Sequence, residues 1–291
     1  MKLISIGQII DQTWEHYRTR FQQITKISGW LLLPCLIGLL ALILYPEAST
    51  MLAGKSQTWY ETGSIFLWMF NNSIITPIIA LWVFIMLVIF FSIDLLGEKI
   101  DLPKIAKKAW QLFLPMIVIN ILIALILISA WLLTIPGFVV NWLGVLIQNN
   151  FVASFGSLLL MVGLLAALFF CIRWLVDFYF ASYILITEEK TGRKALSDSK
   201  KLVDNRRWAA IFRILLPKLV FIIVLITAQS ILSYVVVYLI AAIAGFNSDM
   251  VAKANSVANA LIVSFVSILG TPILVLADYF VFDSLRKTIK K

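Results

Sequence analysis

The chain has 291 residues, 62% of them hydrophobic and 13% charged, with 24 Lys and Arg against 15 Asp and Glu. A water-facing globular protein carries about 25% charged and about 45–50% apolar residues, so this composition excludes a soluble fold and suits a lipid bilayer. Two cysteines inside apolar runs, Cys35 and Cys171, and a single histidine, His16, cannot assemble a zinc or haem ligand set, and no cofactor is expected. The net charge of +9 borders apolar runs instead of forming a soluble basic patch, which argues against a nucleic-acid partner.

In chain order, the first 26 residues contain Asp11, Glu15, His16, Arg18 and Arg20 without an early apolar core, so a retained N-terminus is expected instead of a signal peptide. Ile10, Trp14, Tyr17, Phe21 and Ile24 recur at helical steps opposite Asp11, Glu15, Arg18 and Gln22, which predicts an amphipathic helix with Ser5 as its N-cap. Apolar runs then predict six spans, Ile27 to Tyr45, Ile74 to Leu96, Phe113 to Ile135, Phe151 to Leu175, Leu219 to Ala244 and Val257 to Phe282. Ahead of the second, Ile65 to Phe70 is apolar but is followed by Asn71, Asn72 and Pro77, and is expected in the outer interface. A second amphipathic segment begins near Asp101 with Pro103 in its first turn, and sets Ile105, Ala106, Ala109 and Phe113 against Lys104, Lys107, Lys108 and Gln111. The fourth run stays apolar to Thr187 except at Arg173 and Asp177. Either its helix projects past the bilayer or it ends near Trp174 and an interfacial piece follows; projection is favoured. A third amphipathic helix, about Gly192 to Asn205, sets Ala195, Leu196, Ser199, Leu202 and Val203 against Lys194, Asp198 and Lys201.

Three junctions share a Trp, a Leu-rich step and a Pro: Trp30 to Pro34, Trp110 to Pro115, and Trp208 to Pro217. They suggest an internal repeat, an interfacial helix followed by a span out and a span back. The expected fold is therefore all-α and polytopic, with about six transmembrane helices in three hairpins. It is one membrane domain over 1–291 with internal units of approximately 1–96, 97–187 and 188–291. The segments on one side of the six spans hold 21 positive residues, nine of them between 187 and 218, and the other side holds only Lys55 and Lys253. The positive-inside rule then places both termini in the cytoplasm.

The return spans carry Asp94, Asp177 and Asp278 close to their basic ends, with Asp283 beyond, and Arg173 and Asp177 are spaced to pair on one helix face. Asn120, Gln229, Ser230 and Ser233 lie deeper, where interhelical hydrogen bonds are the usual reading. Gly54-Lys55-Ser56 lacks the upstream glycine of a phosphate loop. Asn71-Asn72-Ser73 fits a glycosylation triplet close to the membrane, and Pro77 and Pro272 are placed to kink spans two and six.

From Arg173-Trp174 through Thr187-Glu188-Glu189 to Gly192-Arg-Lys-Ala195-Leu196, Leu202-Val203 and Arg206-Arg207-Trp208, the chain resembles the membrane domain of glycerophosphoryl diester phosphodiesterases and the stand-alone integral membrane proteins built on it. The opening helix from Ile6-Gly7 to Phe21 and the last span with Thr271-Pro272 are similar to the ends of that domain. The resemblance implies a six-span domain without the catalytic barrel, and no catalytic residue carries over. The expected function is a non-enzymatic integral membrane protein, in a prokaryotic plasma membrane, that engages lipid or serves as an accessory to a membrane partner. Anionic headgroups of the cytoplasmic leaflet are the expected partners, through Arg18, Arg20, Lys104, Lys107, Lys108, Lys194, Lys201, Arg206 and Arg207. A transporter or channel for a small solute or lipid, using Arg173, Asp177, Asp94 and Asp278, is the alternative. An intramembrane enzyme comes last, because no catalytic constellation is present.

Overall fold

The computed structural model describes residues 3–45, 58–244 and 248–289; Lys2, Gly54-Lys55-Ser56, Lys290 and Lys291 lie outside them. Among the described residues the regular structure is helical, and six helical stretches are long and apolar enough to cross a membrane: Phe21–Leu44, Trp59–Asp94, Leu102–Leu146, Asn150–Glu188, Arg207–Ile243 and Met250–Thr288. The protein is an all-α, multi-pass integral membrane protein. It folds as two compact units, one of Ile4–Trp110 with Arg213–Val281, the other of Met1–Leu3, Gln111–Phe212 and Phe282–Lys291.

In the unit of Ile4–Trp110 and Arg213–Val281, helix α1 (Ile6–Thr19) starts at Ser5, whose hydroxyl accepts from the Gln8 amide while the Gln8 side chain returns to the Ser5 amide, a complete capping box. The helix breaks at Arg20, where φ −104° and ψ 14° are not helical, and resumes as α2 (Phe21–Ser28). A 3₁₀ turn at Gly29–Leu31 leads into α3 (Leu32–Leu44). The buried residues of α1 and α2 are Ile9, Thr13, Tyr17, Ile24, Ile27 and Ser28. The expected apolar face is thus rotated by about one position, for Trp14 and Phe21 are 55% and 42% exposed and belong to a second, outward-facing aromatic side. A helix at a membrane surface has two apolar neighbours, protein and lipid, and periodicity alone does not separate them.

Helix α4 (Trp59–Phe70) continues through a π-helical stretch, Asn71–Ile75, into α5 (Thr76–Asp94), so residues 65–70 belong to one unbroken helical path and not to a separate interfacial piece. Pro77 explains the π turn. It has no N–H for the Ser73 carbonyl four residues back, and the ladder widens, with the Thr76 amide reaching Asn71 O five residues back. From Ile85 to Phe91 every residue of α5 is buried, as is every residue of α12 (Ser248–Ile289) from Val275 to Val281. Helices apolar on all sides are those enclosed by others, and these two form the centre of the unit.

The other unit contains most of α6 (Leu102–Ala130), a 3₁₀ turn at Trp131–Thr134, α7 (Ile135–Leu146), α8 (Asn150–Phe178), α9 (Ala181–Glu188) and α10 (Gly192–Val203). Helix α6 runs without a break from the amphipathic segment through Pro115, so the second interfacial helix and the third span are one element. Ile105 and Ala109 are buried as expected, but Asn120 is exposed on the helix surface and makes no interhelical bond. In the fourth run α8 continues past Trp174 to Phe178, and after a two-residue turn the separate α9 follows, buried within the protein from Tyr183 to Ile186.

Helices α7 and α8 form an antiparallel hairpin joined by glycines. A Cβ on Gly137, Gly144 or Gly156 would stand 2.2 Å from the backbone nitrogen of Leu160, Ala153 or Asn141, and one on Gly163 would stand 2.6 Å from Leu133 O. Both pairs, 137 with 144 and 156 with 163, are seven apart and return to the same face after two turns. In lipid there is no hydrophobic drive for helices to pair, so close backbone approach and hydrogen bonding hold them. Asn141 supplies the latter, donating from Nδ2 to Ala153 O at 3.0 Å and to Ser157 Oγ at 2.7 Å. A methyl at 2.2 Å from backbone cannot be relieved by a rotamer change. Gly156→Ala should lower stability by more than the roughly 1–3 kcal/mol of ordinary overpacking, while Gly63→Ala, with nothing within 4 Å of the new Cβ, should leave it unchanged or raise it by up to ~1 kcal/mol. Unfolding of both variants in detergent micelles, followed by circular dichroism, tests the contrast; equal midpoints would remove the glycine contact as the hairpin's fastening.

Candidate functional site

The charged residues that the sequence places at the ends of the spans gather into buried ion pairs. Asp94, the last residue of α5, is 8% exposed. Arg20 donates to it from Nε at 3.0 Å and contacts it from Nη2 at 2.7 Å, while His16 Nε2 lies 3.0 Å away. The helix break at Arg20 is what turns this guanidinium onto the carboxylate. The edges of Phe91 and Phe280 flank the imidazole at ring-centre distances of 6.1 and 6.2 Å. In the same unit Lys218, one residue past Pro217 in α11 (Arg207–Ala244), lies 2.7 Å from Asp278, and Arg213 donates to Ile4 O at 2.8 Å.

Asp177, near the end of α8, is 1% exposed. The expected Arg173–Asp177 contact is stretched to 4.0 Å, and the close partner is Arg207, whose Nε donates at 2.6 Å. Ser199 of α10 donates its hydroxyl to the Asp177 carbonyl at 2.8 Å, fixing α10 across the end of α8. Removing one partner of such a buried pair costs about 3–5 kcal/mol, because the other charge is left uncompensated. These pairs are therefore part of the fold.

A second network in this unit links Glu188, Lys190, Asp198, Lys201 and Arg286. Lys190 reaches Glu188 at 2.9 Å and Asp198 at 2.8 Å, Lys201 donates to Asp198 at 3.1 Å, and Arg286 lies 2.9 Å from Glu188. With Ile184 and Leu202 they line a depression of about 220 Å³. The hydrogen bond to Asp198, then that to Glu188, raises the Lys190 pKa, and the bonds from Lys190 and Lys201 lower that of Asp198. Both groups stay charged near neutrality, which suits a structural clamp and not proton exchange.

The expected contact residues thus divide. Arg20 and Arg207, themselves partly exposed, pair with buried aspartates, Lys201 and Lys104 have a neighbouring carboxylate, and Arg206 donates to Thr288 Oγ1 at 2.9 Å. Lys108 is half-buried, while Arg18, Lys107 and Lys194 are exposed. Arg193 and Lys200, unnamed by the spacing argument, also lie exposed on the outer face of α10, opposite Ala195, Leu196, Ser199, Leu202 and Val203, all five of which are buried as expected. Two tryptophans that follow basic residues in the chain are also exposed, Trp208 at 73% after Arg206 and Arg207, and Trp110 at 62% after Lys107 and Lys108. Trp110 and Trp30, from two of the repeated junctions, both meet Trp82, at ring-centre distances of 6.4 and 5.3 Å. Of the deeper polar groups, Ser233 bonds Asn259 Oδ1 at 3.5 Å across α11 and α12. Asn71 cannot serve a glycosylation triplet, because it is buried and donates to Pro34 O at 3.0 Å. Among the described residues no group of three or more His, Cys, Asp or Glu is placed to hold a metal ion.

Burial lowers the His16 pKa more than nearby Asp94 raises it, and Arg20 lowers it further. The imidazole is therefore neutral in the folded protein and binds a proton more readily once unfolded. Stability is full above the ordinary imidazole pKa of about 6.5 and is lost as pH falls from there through the lowered folded value. The unfolding temperature of the wild type should drop more steeply between pH 7 and pH 5 than that of His16→Gln, read by tryptophan fluorescence in micelles. Parallel pH profiles would show that His16 does not control this response. No family model, curated protein or solved structure matches the chain.

Proposed function

We propose that this integral membrane protein is non-enzymatic and engages anionic lipid at the cytoplasmic leaflet, directly or as an accessory to a membrane partner. The observation that carries the reading is the two-sided helix α10. One face is buried against its unit, and the other presents Arg193, Lys194, Lys200 and Lys201, with the exposed Trp208 five residues past the end of the helix. Cations next to an amphipathic aromatic ring suit the headgroup layer, where each is worth about 1 kcal/mol near an anionic surface. Lys104, with its side chain 85% exposed, and Lys107 beside Trp110 repeat the pattern. The sequence resemblance to a membrane domain that accompanies, but does not contain, phosphodiesterase chemistry agrees with a role without catalysis. The basic excess supports an orientation with these ends and both termini in the cytoplasm, and a prokaryotic plasma membrane is the setting proposed for it.

Transport is the second reading, favoured by an uncharged polar cavity between α3, the π turn and α12. The paired state of Asp94, Asp177 and Asp278 gives it no carboxylate relay.

Native mass spectrometry of protein stripped of co-purified lipid and titrated with phosphatidylglycerol or phosphatidylcholine tests the lipid reading. Phosphatidylglycerol should bind preferentially, and Arg193→Gln with Lys194→Gln and Lys200→Gln should weaken it about 100-fold, roughly fivefold per charge. Equal retention of the two lipids would overturn the proposal. For orientation, Ser197→Cys in a chain with Cys35→Ser and Cys171→Ser should react with an impermeant maleimide only from the cytoplasmic face of membrane vesicles. Labelling from the opposite face would invert the topology.

A further inference from the structure

The unit of Ile4–Trp110 and Arg213–Val281 contains a half-open cavity of about 410 Å³ between α3, the π turn and α12. Its position follows from helical rise. Ser267 is 11 residues before Asp278 on α12, about 16 Å along the helix, which is half of a ~30 Å hydrocarbon core.

Two polar surfaces face each other across it. On α12, Ser264, Ser267 and Thr271 are spaced by three and four residues and share one helix face. Opposite them are Asn71 and Thr76, the first and the following residue of the π turn, a distortion found mostly at functional sites. Asn71 is 3% exposed. Its amide group donates to Pro34 O, and its Oδ1 is buried without a hydrogen-bond partner. Gly38 makes room for it, since a Cβ there would stand 3.2 Å from Asn71 Nδ2. The hydroxyls show a parallel deficit. Ser92, Ser129 and Thr134 each donate to a carbonyl of their own helix, as hydroxyls in apolar helices commonly do. Thr76, Ser264, Ser267 and Thr271 make no such bond.

A buried acceptor without a donor is costly and is one of the features that mark a site for a missing partner. No Asp, Glu, Lys, Arg or His lines the cavity, so a charged ligand would find no counter-charge there. The walls between the polar surfaces are apolar, with Leu39, Leu42 and Trp68.

We infer that this cavity binds a neutral, multiply hydroxylated group, with a ligand hydroxyl donating to Asn71 Oδ1 and others exchanging hydrogen bonds with Ser264, Ser267 and Thr271. The same chemistry is offered by a free polyol and by the headgroup of an uncharged glycerolipid. The site is separate from the basic surface of α10, and it stands whether or not that surface binds anionic lipid.

The test uses the full chain in phosphatidylcholine nanodiscs and follows the thermal midpoint by tryptophan fluorescence. One arm adds glycerol up to 50 mM, the other monoolein at 1–5 mol %. Ligand at ten times its Kd multiplies the folded-to-unfolded ratio about 11-fold, so a saturable rise of a few degrees is expected in at least one arm. A rise with monoolein alone assigns a lipid headgroup, with glycerol alone a soluble polyol, and with both the shared chemistry. The variant Ser264→Ala with Ser267→Ala and Thr271→Val removes hydroxyls that hold no internal bond, so it should keep the wild-type midpoint without ligand and lose the shift. Asn71→Leu should lose it as well. No saturable rise in either arm, or an undiminished rise in the hydroxyl-free variant, overturns the inference and leaves a water-filled cavity.

Discussion

A carboxylate removed from water must meet a cation, and three of the long helices of this protein carry such a carboxylate. Asp94, Asp177 and Asp278 are each less than a tenth exposed. The cations that answer them, Arg20, Arg207 and Lys218, come from the approach to the first span and from the first turns of the fifth. Each pair therefore ties a returning helix to the entry of another. The helix break at Arg20 and the seating of Ser199 on the Asp177 carbonyl follow from the need to complete these pairs. Basic charge here has two uses, and only what the aspartates leave over faces outward.

That division explains the two faces of α10. Its small and apolar residues meet protein, most of its lysines and arginines are exposed, and Lys190 and Lys201 clamp Asp198 between them. The uncharged cavity in the other unit is built on the opposite principle, with hydroxyls and one carboxamide and no ionised group. A single chain thus presents a charged surface and a neutral pocket, and the two select for different chemistries.

Much of this was legible in the chain. The spans announce themselves by length and hydropathy, Ser5 by its capping residue Gln8, and α10 by a period that named all five of its buried residues. The entry helix reads one position out of register because Trp14 and Phe21 are apolar for the sake of an outward face, whereas the inward face contains the polar Thr13 and His16, the latter set against Asp94. Pairing was legible only within a helix: Arg173 and Asp177 are four apart, but Arg207, thirty residues on, is the closer partner, and no local pattern encodes that distance. The glycine hairpin left a trace in the seven-residue spacing of Gly137 with Gly144 and of Gly156 with Gly163. Asn71 read as a polar interruption, since its environment is supplied by Pro34 and Gly38 on another helix.

The hairpin has one further property. Between Lys108 and Arg173 there is no Asp, Glu, Lys, Arg or His, and the turn at its tip is made by Gln148 in a left-handed conformation and by Asn149, whose side chain accepts from the amides of Phe151 and Val152. A charged residue carried into the centre of the bilayer costs about 2.5–3.5 kcal/mol. The tip itself carries amide side chains alone, and two of its backbone amides are satisfied within it. Its two arms, with their glycines in register, can enter the bilayer together as a paired unit, ahead of any neighbour that the finished protein will place beside them.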